Sequence, residues 1–209
     1  MQDNRHRYFV VNKPFKMVSQ FVSVEDVPLL GDLGFDFPEG THAVGRLDGL
    51  SEGLLLLTTN KRVTKLLFEG ERPHKRTYLV RVLGRITEDK VQQLRNGVTI
   101  SVRGSGDYVT AGCDVVLLHE PPQVPEHQLE LNPYIAHSWL QITLCEGKRH
   151  QVRNMVRAVG HECRRLIRTA IEDMELGDLA PGGVREVEEG VFFWMLKIEN
   201  WRQVGLLDS

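Results

Sequence analysis

Gly45-Arg46-Leu47-Asp48-Gly49-Leu50-Ser51-Glu52-Gly53-Leu54-Leu55-Leu56-Leu57-Thr58-Thr59-Asn60 sets one acid, Asp48, in a glycine-flanked loop ahead of four consecutive leucines. A short apolar run bounded by turn residues reads as a strand buried on both faces. The loop is therefore tied to a rigid element, and little bulk surrounds the carboxylate. That placement suits a nucleophile or a general base. An isolated loop aspartate more often only closes a turn, so the surrounding sequence has to decide.

Outward from this stretch, residues 8–12 form a short aromatic and β-branched run, a strand ended by Lys13-Pro14. Residues 24–33 are read as a helix, and residues 61–68 as a short one with Val63, Leu66 and Leu67 on one face. Residues 76–83 alternate as a strand does. Thr87 is placed to cap a helix that Gly97 ends. Residues 98–102, 108–118, 138–144 and 191–198 read as strands, and residues 121–133 as a Pro-rich loop. The clearest helix spans 148–159, where Val152, Met155, Val156 and Val159 make an apolar face beside a stripe of Arg149, Arg153 and Arg157. Most loops are too short for helical crossovers, which favours an α+β fold with a mostly antiparallel mixed sheet.

The chain has 209 residues, enough for one core or two small lobes sharing one. No apolar stretch reaches the length of a membrane span, and residues 1–7 lack the apolar core of a signal peptide, so a cytoplasmic protein is expected. Three cysteines, Cys113, Cys145 and Cys163, argue for free thiols and against a disulfide framework. No histidine or cysteine spacing points to a metal. The net charge of −2 conceals segregation. Basic clusters fall at Lys61-Arg62-Lys65, at Arg72-His74-Lys75-Arg76, and at Lys148-Arg149-His150 with Arg153 and Arg157. A further cluster is Arg164-Arg165 with Arg168, while acid collects elsewhere. A polyanion would have to be gripped through local patches.

Several segments resemble the ribosomal branch of the pseudouridine synthases: Asn12-Lys13-Pro14, the 45–60 stretch, Lys75-Arg76-Thr77-Tyr78, Glu146-Gly147-Lys148-Arg149-His150-Gln151-Val152-Arg153, Leu166-Ile167-Arg168, and Gly183-Val184-Arg185-Glu186-Val187. Their order covers nearly the whole chain. The resemblance implies the pseudouridine synthase fold: a bent, mostly antiparallel mixed sheet with flanking helices and a central catalytic cleft. It implies one catalytic domain over residues 1–209, two lobes sharing one sheet, without the S4-like RNA-binding module that many relatives carry before the Asn-Lys-Pro segment. Lys16 stands where relatives often have glycine, and Gly49 follows the aspartate where a larger residue is expected.

The same resemblance assigns roles. Asp48 is the nucleophile, or the base on a glycal route. Arg153 is its cationic partner. Tyr78 stacks on the extruded uracil and is an acid/base candidate. Arg46 is the wedge that fills the vacated stack. Leu166 and Ile167 wall the uracil pocket. Lys13, Lys75, Arg76, Lys148 and Arg149, with Lys61 and Arg62, are candidate phosphate contacts. The implied reaction is a redox-neutral isomerisation of one uridine in large-subunit (23S) ribosomal RNA, free or in a pre-ribosomal particle. It needs neither cofactor nor metal, and a monomer that does not engage membranes is expected. A non-catalytic RNA-binding or ribosome-assembly protein on the same scaffold is the alternative. A hydrolase of free nucleosides is weaker, because the basic clusters suit a polyanion.

Overall fold

The computed structural model describes residues 5–68, 72–104, 106–126, 134–199 and 201. In chain order the elements are β1 (Tyr8–Lys13), β2 (His42–Val44), β3 (Glu52–Thr58), α1 (Arg62–Phe68), β4 (Arg76–Leu83), α2 (Glu88–Asn96), β5 (Thr99–Val102), β6 (Gly106–Val109), β7 (Asp114–Leu118), β8 (His137–Leu144), α3 (Gln151–Ala158), β9 (Cys163–Ile171), β10 (Met174–Glu175), β11 (Val184–Val187) and α4 (Glu189–Met195). They divide into two units, one of residues 1–74 with 169–209 and one of residues 75–168.

The leucine run is β3, buried along its whole length. In the first unit β1 pairs antiparallel with β3 (Val10 opposite Leu56) and with β11, and β2 also pairs with β3. Alternate residues explain the double burial. Phe9, Val11, Leu55 and Leu57 join Met17, Leu30 and Leu47 in one core cluster. On the other face of β1, the Tyr8 ring centroid lies 4.6 Å from that of Phe192 and 5.5 Å from that of Phe193, both on α4.

In the second unit β8 pairs antiparallel with β4 on one side and β7 on the other. Val80, Val82, Leu140 and Ile142 meet Val91 and Leu94 of α2 and Val152, Met155 and Val156 of α3 in its core. β5 and β6 make a separate two-stranded hairpin. The elements read at 8–12, 61–68, 76–83, 98–102 and 138–144 all appear, and the helix read from 148 begins at Gln151 because His150 is left-handed (φ 55°). Thr87 does precede α2, with its carbonyl taking the Val91 amide, although its side chain makes no capping bond.

Three readings are corrected. The helix expected over 24–33 is only a 3-10 turn, Leu30–Leu33. Pro28 disfavours helix before it, and Val22 and Val24 are exposed and so supply no buried face. The strand expected over 108–118 is interrupted after Val109, where Thr110 turns to bond the Val98 amide through its hydroxyl at 2.9 Å. The strand expected over 191–198 is α4 instead. The Glu188 carboxylate caps it by accepting from the Val191 amide at 3.0 Å, and the buried Phe192, Phe193 and Leu196 follow helical spacing. Among the described residues no helix is long and apolar enough to cross a membrane. Of the Pro-rich stretch read over 121–133, residues 127–133 lie outside the described residues.

Candidate active site

Asp48 sits at the start of a turn that the first unit holds from several sides. The Ser51 amide donates to the Asp48 carbonyl at 2.9 Å, and the Lys16 amide donates to the Gly49 carbonyl at 2.7 Å. The Ser19 hydroxyl donates to the Leu47 carbonyl at 2.9 Å and accepts from the Leu47 amide at 3.0 Å, using both capacities of one oxygen. Leu47 is buried in the core cluster, whereas Arg46 and Asp48 on either side of it are exposed. Gly45 completes the approach: its φ is 74°, and a Cβ there would lie 2.7 Å from the Phe68 ring. The main chain is thus fixed while the flanking side chains face outward. Ser19 carries no motif signal; only a contact across 28 residues reveals it. Ser19→Ala is expected to destabilise the protein by about 1–3 kcal/mol through the lost pair of bonds. It should also slow turnover by roughly 10-fold through looser placement of Asp48, the residue after Leu47. Thermal unfolding and initial rates measured together check both effects.

Lys13, expected at a phosphate, is fully buried instead. Its ammonium donates to the Pro14 carbonyl at 2.8 Å and the Met17 carbonyl at 2.6 Å, bracing the segment that carries Lys16 and Ser19. Arg76 is also buried, at the start of β4, so it too is withdrawn from the exposed phosphate set. Lys75, Lys148 and Arg149 are exposed, as are Lys61 and Arg62.

The second unit supplies the other expected residues. Tyr78 lies on β4, half-buried against the core, and its hydroxyl shares a hydrogen bond with the Arg168 side chain. Burial holds the Arg168 guanidinium below its ordinary value, and the contact with Tyr78 acts in the opposite direction. In the sequence Arg168 ends the Leu166-Ile167-Arg168 segment and looks like one more basic residue of a cluster. Arg153 is half-buried on α3 and donates to the Cys163 carbonyl at 3.2 Å, which ties the helix to the start of β9. Leu166 and Ile167 are both buried, but successive strand residues point to opposite faces, so they do not form one wall. Leu166 belongs to the core cluster of this unit.

Glu146 is the hub behind Lys148 and Arg149. It accepts from the Tyr108 hydroxyl, from the Ala111 amide at 3.0 Å and from the Gln151 side-chain amide at 2.6 Å. The Gln151 side-chain oxygen in turn accepts from the Lys148 amide at 2.8 Å. The Lys148 ammonium lies 4.6 Å from the Tyr108 ring centroid, within cation–π range. This network fixes the basic loop to the β5–β6 hairpin.

No group of three or more His, Cys, Asp or Glu side chains that could hold a metal occurs among the described residues. All three cysteines are free. Burial pushes the Cys113 and Cys163 thiols up to about 11, whereas Cys145 is exposed. Iodoacetamide at pH 8 is therefore expected to modify Cys145 about 10²-fold faster than the other two, since only thiolate reacts. Peptide mapping after timed labelling checks this.

Comparison with known proteins gives the family and the fold. A family model described as RNA pseudouridylate synthase matches residues 7–158. Ribosomal large subunit pseudouridine synthase E of Xanthomonas axonopodis pv. citri is 34% identical over 174 residues, covering 82% of this chain and 89% of that protein. The protein of the same name from Vibrio vulnificus is 33% identical over 183 residues, covering 87% of this chain and 75% of that one. A solved structure described as a crystal structure of pseudouridylate synthase superposes with a TM-score of 0.73 at 24% identity, covering 93% of this chain and 76% of that one. The last comparison gives the fold.

Proposed function

We propose that this chain, which belongs to the RNA pseudouridylate synthase family, isomerises one uridine of large-subunit (23S) ribosomal RNA with Asp48 as its nucleophile. Membership makes it an isomerase with an RNA substrate. The reaction breaks the bond between ribose C1′ and uracil N1, turns the base and joins C1′ to C5. N1 gains a proton and C5 loses one, so nothing is oxidised or reduced. A carboxylate serves by attacking C1′, or by taking the C2′ proton to leave a glycal that later accepts C5.

The observation that carries the proposal is the Asp48 turn. Its backbone is held by Ser19, Lys16 and Ser51 while the carboxylate faces outward on Gly-flanked chain. Such preorganisation is what a nucleophile needs and what a merely solvated acid does not. Arg153 is assigned as the cation that keeps Asp48 ionised, Tyr78 as the ring that stacks on uracil and an acid/base group, and Arg46 as the wedge. Extruding a stacked base costs a few kcal/mol, and an inserted side chain offsets part of it. Lys75, Lys148 and Arg149 are assigned to phosphates. One of Leu166 and Ile167 lines the base pocket. The working form is a monomer acting in the cytoplasm on free RNA or a pre-ribosomal particle.

The test is pseudouridine mapping on unmodified large-subunit ribosomal RNA, and on partly assembled particles, after incubation with the protein. One new site in either substrate is the expected result. No site in either would leave the binding-protein reading in its place.

A further inference from the structure

Among the described residues, Lys16 (φ 68°), His150 (φ 55°), Glu172 (φ 49°) and Lys197 (φ 54°) hold a left-handed backbone without being glycine. A residue with a Cβ rarely adopts that conformation, and it persists only where the surrounding structure enforces it. The Glu172 and Lys197 side chains pair with each other at 3.3 Å, and His150 stands at the start of α3. Lys16 differs. Its side chain is exposed, and among the described residues its ammonium has no ion-pair partner. Main-chain contacts hold it in place. Its amide donates to the Gly49 carbonyl at 2.7 Å, and a Cβ added to Gly49 would lie 3.7 Å from the Lys16 carbonyl oxygen. On either side of it, the Pro14 and Met17 carbonyls accept from the buried Lys13 ammonium at 2.8 and 2.6 Å. Glycine at position 16 would keep these main-chain bonds and carry no strain. The lysine side chain therefore adds a charge that the turn itself does not use. That charge is rooted one hydrogen bond away from the residue after Asp48.

A strained backbone that keeps an exposed cation points to a use for the cation. For Asp48 to reach C1′ or the C2′ proton, the ribose must lie over its turn. The phosphates on either side of that ribose then fall within reach of a long side chain rooted beside the turn. A lysine ammonium is a point charge on a flexible stem, with three donors and no fixed fork, so it meets a phosphate from many directions. We infer that Lys16 binds a backbone phosphate flanking the uridine held at Asp48, and so fixes the register of the RNA over the turn. It is a substrate-binding residue and takes no part in proton or bond transfer. The inference rests on the proposed function for the position of the uridine. The RNA contact itself does not depend on turnover.

The experiment first compares Asp48→Ala protein with Asp48→Ala carrying Lys16→Asn or Lys16→Gly, so that binding is read without turnover. Asparagine and glycine both accept the left-handed backbone, so the urea midpoint should stay level or rise. Fluorescence anisotropy with a large-subunit ribosomal RNA fragment is measured over a series of salt concentrations. Either variant is expected to bind several-fold more weakly at low salt and to lower the slope of log affinity on log salt by about 0.7–0.9, one phosphate contact. Lys16→Arg keeps the slope, since the charge remains. An unchanged slope in both neutral variants would overturn the inference. The second comparison places the contact, with Asp48 intact. Lys16→Asn should lower kcat/KM about 10-fold on a short RNA carrying the mapped uridine. A neutral methylphosphonate on the flanking phosphate should lower the wild type by the same factor and leave Lys16→Asn unchanged. Losses that add in the variant for both flanking phosphates would also overturn it, because the lysine would then reach RNA elsewhere. No pseudouridine from wild-type protein, with a Lys16-dependent salt slope retained, would remove the isomerase reading and leave the RNA contact standing.

Discussion

Asp48→Ala and Asp48→Asn will each lower pseudouridine formation by at least about 10⁴-fold while the protein unfolds at nearly the wild-type temperature. The separation of the two effects follows from how the turn is built. The described bonds that shape it run through main-chain groups and the Ser19 hydroxyl: Ser51 to the Asp48 carbonyl, Lys16 to the Gly49 carbonyl, and Ser19 to both polar groups of Leu47. Leu47 supplies the burial, and the side chain at 48, the proposed nucleophile, is exposed. Asparagine keeps the size and loses the charge, so it removes the proposed nucleophile while the described main-chain bonds of the turn stay in place. Asp48→Glu is the finer probe. It keeps the charge and displaces it by about one ångström, for which a loss near 10²-fold is expected. Wild-type turnover in the alanine variant would sink the nucleophile assignment. Equal losses in the glutamate and alanine variants would mean that position, more than charge, is decisive. Initial rates on the mapped RNA site, with circular dichroism melting of each variant, give all three comparisons.

Where pattern and burial coincide, the fold was legible in the sequence. Four leucines bounded by Gly53 and Thr58 can only be satisfied by two covered faces, and β3 has them. The alternation over β4 and the spacing of Val152, Met155 and Val156 on α3 were equally direct. Residues 191–198 misled because phenylalanine, tryptophan and valine favour strands, yet the local cap at Glu188 and the spacing of the buried aromatics decided for helix. Of the candidate site, Asp48, Tyr78 and Arg153 were read from motif residues and stand as proposals, whereas Ser19, Glu146 as a hub and the contact of Arg168 with Tyr78 depend on approaches between distant segments. Alternation along β9 was available in the sequence and already separates Leu166 from Ile167.

Lys13 shows most sharply how residue type alone can mislead, and it yields the other large effect. A lysine beside a proline near basic clusters suggests a phosphate contact, and Lys13→Met would then weaken RNA binding and flatten its salt dependence. The buried ammonium predicts something else. The described bonds of the ammonium, to the Pro14 and Met17 carbonyls, are charge-assisted and closed to water. Methionine fills the same space but leaves both carbonyls without that donor, for a loss of about 3–5 kcal/mol in unfolding free energy. Urea denaturation will show it as a lower midpoint with an unchanged slope. Because the braced segment carries Lys16 and Ser19, the folded fraction of Lys13→Met should also turn over more slowly. Lys148→Gln and Arg149→Gln are the counterpart, for both side chains are exposed. They should leave the urea midpoint in place and each reduce the salt slope by about 0.7–0.9. If Lys13→Met keeps its midpoint and loses slope, the lysine reaches RNA after all and the bracing role falls. If it loses its midpoint and keeps its slope, a cation that looks like a nucleic-acid contact serves to brace the segment that holds the Asp48 turn.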